Sequence, residues 1–151
     1  MKLPVIYWRD LAIALDDVPQ KDLATTADVR KCVGTVEQIR KSIVKPMEEF
    51  EVVQKKINAK RVEVDAKLAK FPENEENTKK REEIIEKANA DVMPIIKERE
   101  KVDAKYEKEE AEIDLDPNYK EFVKGIWEDH VRPRYMVKDA MLKVAEAFGI
   151  E

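Results

Sequence analysis

The chain has 151 residues, a formal net charge of −4, a single cysteine and a single histidine, and 41% of its residues are charged. Lone Cys32 excludes an internal disulfide, and one histidine excludes a His-pair metal site. The charged fraction is well above the roughly 25% of an average soluble domain, whereas 43% hydrophobic content with three glycines points to a folded chain of long exposed helices. The fold class expected is mainly α: a long antiparallel, coiled-coil-like hairpin with a small helical head and a short two-stranded β element. The length predicts one domain over 1–151.

In chain order, Met1–Trp8 (MKLPVIYW) is the most β-prone stretch and predicts a short edge strand, with Asp10 capping a short helix through Leu11, Ile13 and Leu15. Thr25, Thr26 and Asp28 predict the start of the first long helix, through hydroxyl capping and an acid in the first turn. From there Val29, Val36, Ile43, Phe50, Ile57, Val64 and Phe71 recur every seven positions, all apolar. That spacing keeps one seam facing a partner helix. The helix is expected to reach about Lys70, with Pro46 kinking or splitting it.

The stretch 71–78 (FPENEENT) reads as the turn of a hairpin spanning 26–113. The answering seam reads Ile85, Ala88, Val92, Ile95, Arg99, Val102, Tyr106, Glu109 and Ile113, interrupted by Pro94. Residues 111–116 (AEIDLD) alternate apolar and acidic side chains and predict a strand whose natural partner is the N-terminal one. Asp116-Pro117 predicts a helix start carrying Tyr119, Phe122, Val123, Ile126, Trp127 and His130 on one face. After the break at Arg132-Pro133-Arg134, a last helix carries Val137, Met141, Val144, Ala145 and Phe148 and ends at Gly149. Residues 1–25 and 114–151 are expected to pack together as a head at the open end of the hairpin.

Residues 27–72 carry a balance of +4 and residues 73–116 one of −7. This predicts two oppositely biased arms pairing through flanking charges. Nucleic-acid binding through the basic first arm is the weaker reading, because acids interleave with its bases and aromatics do not.

The sequence has no glycine-rich phosphate loop, no paired-cysteine motif and no nucleophile elbow. Glu128, Asp129 and His130 are consecutive and point to different sides of a helix. The expectation is therefore no catalytic residue, no metal and no cofactor. The one surface richer than a scaffold needs is Trp127 with Arg132, Arg134 and Tyr135; Trp8 is a second aromatic of the same kind. Arginine and aromatic residues are enriched at interaction hot spots. Another protein is the expected partner, with a homodimer open. No apolar run is long enough to span a membrane and no signal-peptide pattern is present, which predicts a cytoplasmic protein without a membrane partner.

The order of a β-prone N-terminus (MKLPVIYWRDLAIAL), a heptad helix, an acidic turn, a charged return helix and an acid-alternating strand (EEAEIDLD) resembles small uncharacterised coiled-coil proteins of tailed bacteriophages. The C-terminal helical pair departs from that layout. The resemblance implies a non-enzymatic accessory, assembly or host-targeting inhibitor protein, and transfers no functional residues. The alternative is a holdase-like chaperone whose arms grip clients.

Overall fold

A computed structural model describes residues 1–150. The chain is mainly α with one small antiparallel sheet: β1 (Lys2–Pro4), α1 (Val5–Asp16), α2 (Thr26–Ser42), α3 (Val44–Ala69), α4 (Thr78–Lys108), β2 (Glu110–Glu112), α5 (Pro117–Ile126) and α6 (Lys138–Ala147). It divides into two compact units. One gathers Met1–Met47 with the chain from Lys105 onward; the other is Glu48–Ala104.

In the first unit, β1 and β2 pair with Lys2 opposite Glu112 and Leu3 opposite Ala111. Both strands are shorter than predicted, since Val5–Trp8 is helical and β2 is Glu110–Glu112, extended only by the Met1–Ile113 pair, whose backbones exchange bonds of 2.9 and 3.1 Å. β-propensity misleads here. Val5, Trp8, Leu11, Ala12 and Leu15 recur at helical spacing and all five are buried, so burial on one helical face outweighs the preference of aromatic and β-branched residues for a strand. Pro4, in the extended conformation, stands at the N-cap position in place of the expected Asp10. Val5 N–H donates to the Glu109 carbonyl at 2.8 Å, which ties the start of α1 to the end of α4.

α2 packs against both α1 and α5. Its start is as expected, with the Thr25 hydroxyl accepting from Asp28 N–H at 3.1 Å. Gly34 matters to this packing: a Cβ there would collide with the Tyr119 hydroxyl and ring of α5. Gln38 bridges α2 to the segment after β2, its amide donating to the Asp114 carbonyl at 2.8 Å and accepting from Asp116 N–H at 3.1 Å. Cys32 is buried, with its thiol donating to the Leu15 carbonyl. Burial, then the nearby Asp16 charge, raises its pKa, as suits a packing thiol.

The predicted single helix over 26–70 is split at Ile43 (φ −127°, ψ 42°). Pro46 falls in the first turn of α3, where a missing N–H costs nothing because those donors have no intrahelical acceptor. The break upstream is where the proline ring would otherwise meet the carbonyl of Ser42.

In the second unit, α3 and α4 are joined by the predicted turn. Arg81, one turn into α4, donates to the Leu68 and Phe71 carbonyls at 3.2 and 2.6 Å, satisfying the end of α3. Asn77 donates to the Pro72 carbonyl at 2.9 Å, and Lys80 sits over the Phe71 ring. Lys56 and Glu98 join the helices at 3.0 Å. Phe50, Ile57, Val64 and Phe71 are half-buried, and Val53 is the one fully buried apolar side chain of this unit among the described residues.

The answering seam on α4 needs a correction. Ile85 is 43% exposed, and Ile84 is the more buried of the two. Toward the other end of α4, Val92, Ile95 and Val102 are half-buried and Tyr106, in the first unit, is buried, while Arg99 is exposed. The inward stripe therefore shifts column along the helix, as a 3.6-residue period does against a seven-residue repeat. α4 continues through Pro94.

The charge asymmetry does not reside in the arms. Residues 44–69 carry 6 basic and 5 acidic side chains, and residues 78–108 carry 9 and 8, so each arm is close to neutral. The acidic excess comes from Glu73, Glu75 and Glu76 at the turn and from Glu109, Glu110, Glu112, Asp114 and Asp116. The turn acids precede the N-terminus of α4, where the helix dipole favours them.

Candidate functional site

The expected interaction group lies where α5 gives way to α6. The Asp116 carboxylate caps α5 by accepting from Asn118 N–H at 2.8 Å, with Pro117 at the first helical position. After Ile126 the chain widens into one π-helical turn, Trp127–Val131, and then tightens into the 3-10 turn Arg132–Arg134. Single π turns often mark functional sites. Here the turn places both Trp127 and Val131 in the core, where the predicted uniform helix face would have ended at His130. His130 is half-buried, and its carbonyl accepts from Arg134.

The structure divides the predicted contact residues into two groups. Trp8 and Trp127 are core residues. Trp8 is fully buried and donates from Nε1 to the Ala111 carbonyl at 2.9 Å, and Trp127 stacks at 5.8 Å, tilted, on Tyr135. Trp8 offers no surface to a partner, and Trp127 is almost wholly covered. Arg134 clamps the turn, reaching the His130 carbonyl and, at 3.4 Å, the Asp17 carbonyl. Arg132 is exposed and pairs with Glu128 at 2.8 Å.

The Tyr135 hydroxyl is buried without a hydrogen-bond partner. Desolvation first, and the Asp10 charge second, push its pKa far above the ordinary tyrosine value. A neutral phenol at every physiological pH is the consequence.

Beside this turn, α6 turns Ala140, Val144 and Ala145 inward, followed by Phe148. It ends in a glycine cap: Gly149 takes φ 71°, Gly149 N–H donates to the Glu146 carbonyl and Ile150 N–H to the Ala145 carbonyl, both at 2.9 Å. Val137, expected on the inner face, is exposed because it precedes the first helical turn. A groove of about 580 Å³ runs between the π turn and α6, floored by Trp127, Met141, Leu142, Ala145 and Ile150, with Arg132 at its edge. Met136 is 98% exposed at one end of α6, and Leu142 is half exposed.

Of the residues singled out in the sequence Arg132 is the exposed one, and exposed Met136 and Leu142 are not among them. For Met136 the signal was present: it is an apolar residue between a break and a helix start, outside the inward stripe.

Among the described residues no group of three or more acidic, histidine or cysteine side chains is placed to hold a metal ion, and no helix is long and apolar enough to cross a membrane. No protein-family model, curated protein or solved structure matches the chain.

Proposed function

We propose that this protein is a non-enzymatic protein-binding module whose docking surface is the groove between the π turn and α6. The observation that carries the reading is a groove floored by Trp127, Met141, Leu142, Ala145 and Ile150 and lined also by Glu128, Arg132 and Glu146, with Leu142 half exposed in it and Met136 and Val137 exposed just before α6. Grouped exposed apolar side chains cost solubility and mark binding sites when polar residues rim them. Methionine adapts its shape to a partner at little cost, and Arg132 adds a planar donor that exchanges its exposed Glu128 partner readily. The buried Trp127–Tyr135 stack fixes the floor of the groove, so the surface is preorganised and loses little entropy on docking.

Nucleic-acid binding through the basic first arm is the weaker reading, because the +4 of residues 27–72 is spread thinly, +2 on α2, +1 on α3 and +1 at Lys70. The test is affinity capture with cross-linking from the native source, using wild type, Leu142→Asp, Met136→Asp and Arg132→Ala side by side. A protein captured by wild type, lost with Leu142→Asp and Met136→Asp and reduced with Arg132→Ala, at unchanged helicity, supports the reading. A capture profile identical across all four proteins overturns it.

A further inference from the structure

We infer that the outer face of α3 pairs two copies of this chain antiparallel. The inference is independent of the α6 groove and rests on the second unit alone. On α3, Val52 is 53% and Val62 68% exposed. With exposed Ala59, Ala66 and Ala69 they form a strip at heptad spacing, broken at Lys55. The strip lies two or five positions from the column Phe50, Ile57, Val64, hence on the opposite side of the helix. Helix propensity accounts for alanine on a solvated face but not for valine, which is a poorer helix former and is depleted where nothing packs on it. The corresponding outer positions of α4 are mostly charged: Glu83, Glu86, Lys97 and Glu100 stand there with Ala90 and Met93. One arm is finished for water and the other is not.

Charge pattern identifies what covers the strip. Its flank reads Glu49, Lys56, Glu63, Lys70, alternating in sign at every seventh residue. Laid antiparallel on itself about a two-fold axis near Lys60, this row sets Glu49 against Lys70 and Lys56 against Glu63 of the second copy, each pair occurring twice. Val52 then lies against Ala69 and Ala59 against Val62. A row of this kind complements its own reverse, which is the condition for an isologous two-fold contact. Lys56 now pairs with Glu98, and Glu63 with Lys60 and Lys67. All these groups are well exposed, and exchange of exposed ion pairs costs little. From 52 to 69 the strip is about 26 Å long at 1.5 Å per residue, which places the contact at the small end of specific interfaces. The dimer is therefore weak and dissociates on dilution.

Sedimentation velocity over a dilution series tests this, with circular dichroism as the folding control. Wild type is expected to move from dimer to monomer as concentration falls. Val62→Asp, a change on an exposed face, should stay monomeric throughout. Lys56→Glu should weaken association at least tenfold, and Lys56→Glu with Glu63→Lys should restore it. With Cys32→Ser as background, Ala59→Cys should form a covalent dimer under mild oxidation and Asn58→Cys should not. A wild-type monomer at every concentration overturns the inference. So does a dimer that survives Val62→Asp, or one abolished by Leu142→Asp instead.

Discussion

The same seven-residue column runs through both units of this molecule and is covered very differently in each. In the first unit Val36 and Ile43 are buried and Val29 half-buried, because α1 and α5 both pack on α2. In the second, Phe50, Ile57, Val64 and Phe71 stay half-buried, because one neighbouring helix can cover only one side of another. Periodicity reports which face turns inward. It does not report how many neighbours close over that face, and burial, not periodicity, sets the hydrophobic stabilisation. Two helices without a third layer depend largely on their turn and their length, which is why the Arg81 bonds to the end of α3 matter more than their number suggests.

The largest effect is expected at Trp8. Trp8→Ala removes a fully buried indole and its hydrogen bond, and should cost about 3–5 kcal/mol in a denaturant melt, enough to unfold the first unit. Ile57→Ala in the second unit should cost clearly less, about 1 kcal/mol, because half its surface is already wet. Equal costs would erase the distinction drawn between the units.

Gly34→Ala comes next. Alanine would normally stabilise a helix interior by about 1 kcal/mol, but its Cβ would meet the Tyr119 ring, and overpacking of that kind costs about 1–3 kcal/mol. A net loss is expected, turning into a gain when Tyr119→Ala is made in the same chain.

Gln38→Ala should cost about 1–2 kcal/mol for the two backbone bonds lost, with Gln38→Glu intermediate because a carboxylate cannot donate to Asp114. Thermal melts of the three proteins give the order directly.

Tyr135→Phe should be neutral or slightly stabilising at neutral pH, since it removes a buried hydroxyl that has no partner. Its pH dependence is sharper. The folded-state pKa of Tyr135 is raised, so its contribution to stability is complete below the unfolded value near 10.0 and is lost as pH rises above it. Wild type should weaken above that pH more steeply than the phenylalanine variant. The smallest effect expected is for Lys56→Ala, at most about 0.5–1 kcal/mol, since both partners of the Glu98 pair are exposed.

Much of this architecture was readable in the chain. Thr25, Asp116 and Gly149 announced helix ends through chemistry local to them, and Pro72 with Asn74 and Asn77 announced the turn. The features that could not be read depend on tertiary neighbours. Val5–Trp8 is helical because one helical face is buried, against its β-propensity. Ile84 lies nearer the seam than Ile85 because the stripe drifts along α4. Gln38, Arg81 and Gly34 serve residues 76, 10 and 85 positions away for which no local pattern exists. The proposed docking surface was half legible. Arg132 stood out by type, but Trp8 and Trp127 drew attention as aromatics while sitting in the core, and Met136 and Leu142 gained meaning once α6 had an inside and an outside.

Hydrogen–deuterium exchange resolved by peptide, at a concentration low enough to keep the chain monomeric, tests the contrast between the units most directly. Slow exchange is expected in α1, α2 and α5, close to the limit set by global unfolding, with exchange across residues 48–104 faster by several orders of magnitude. Uniform protection from α2 through α4 would contradict the account, because it would show the two units opening as one equally stable body.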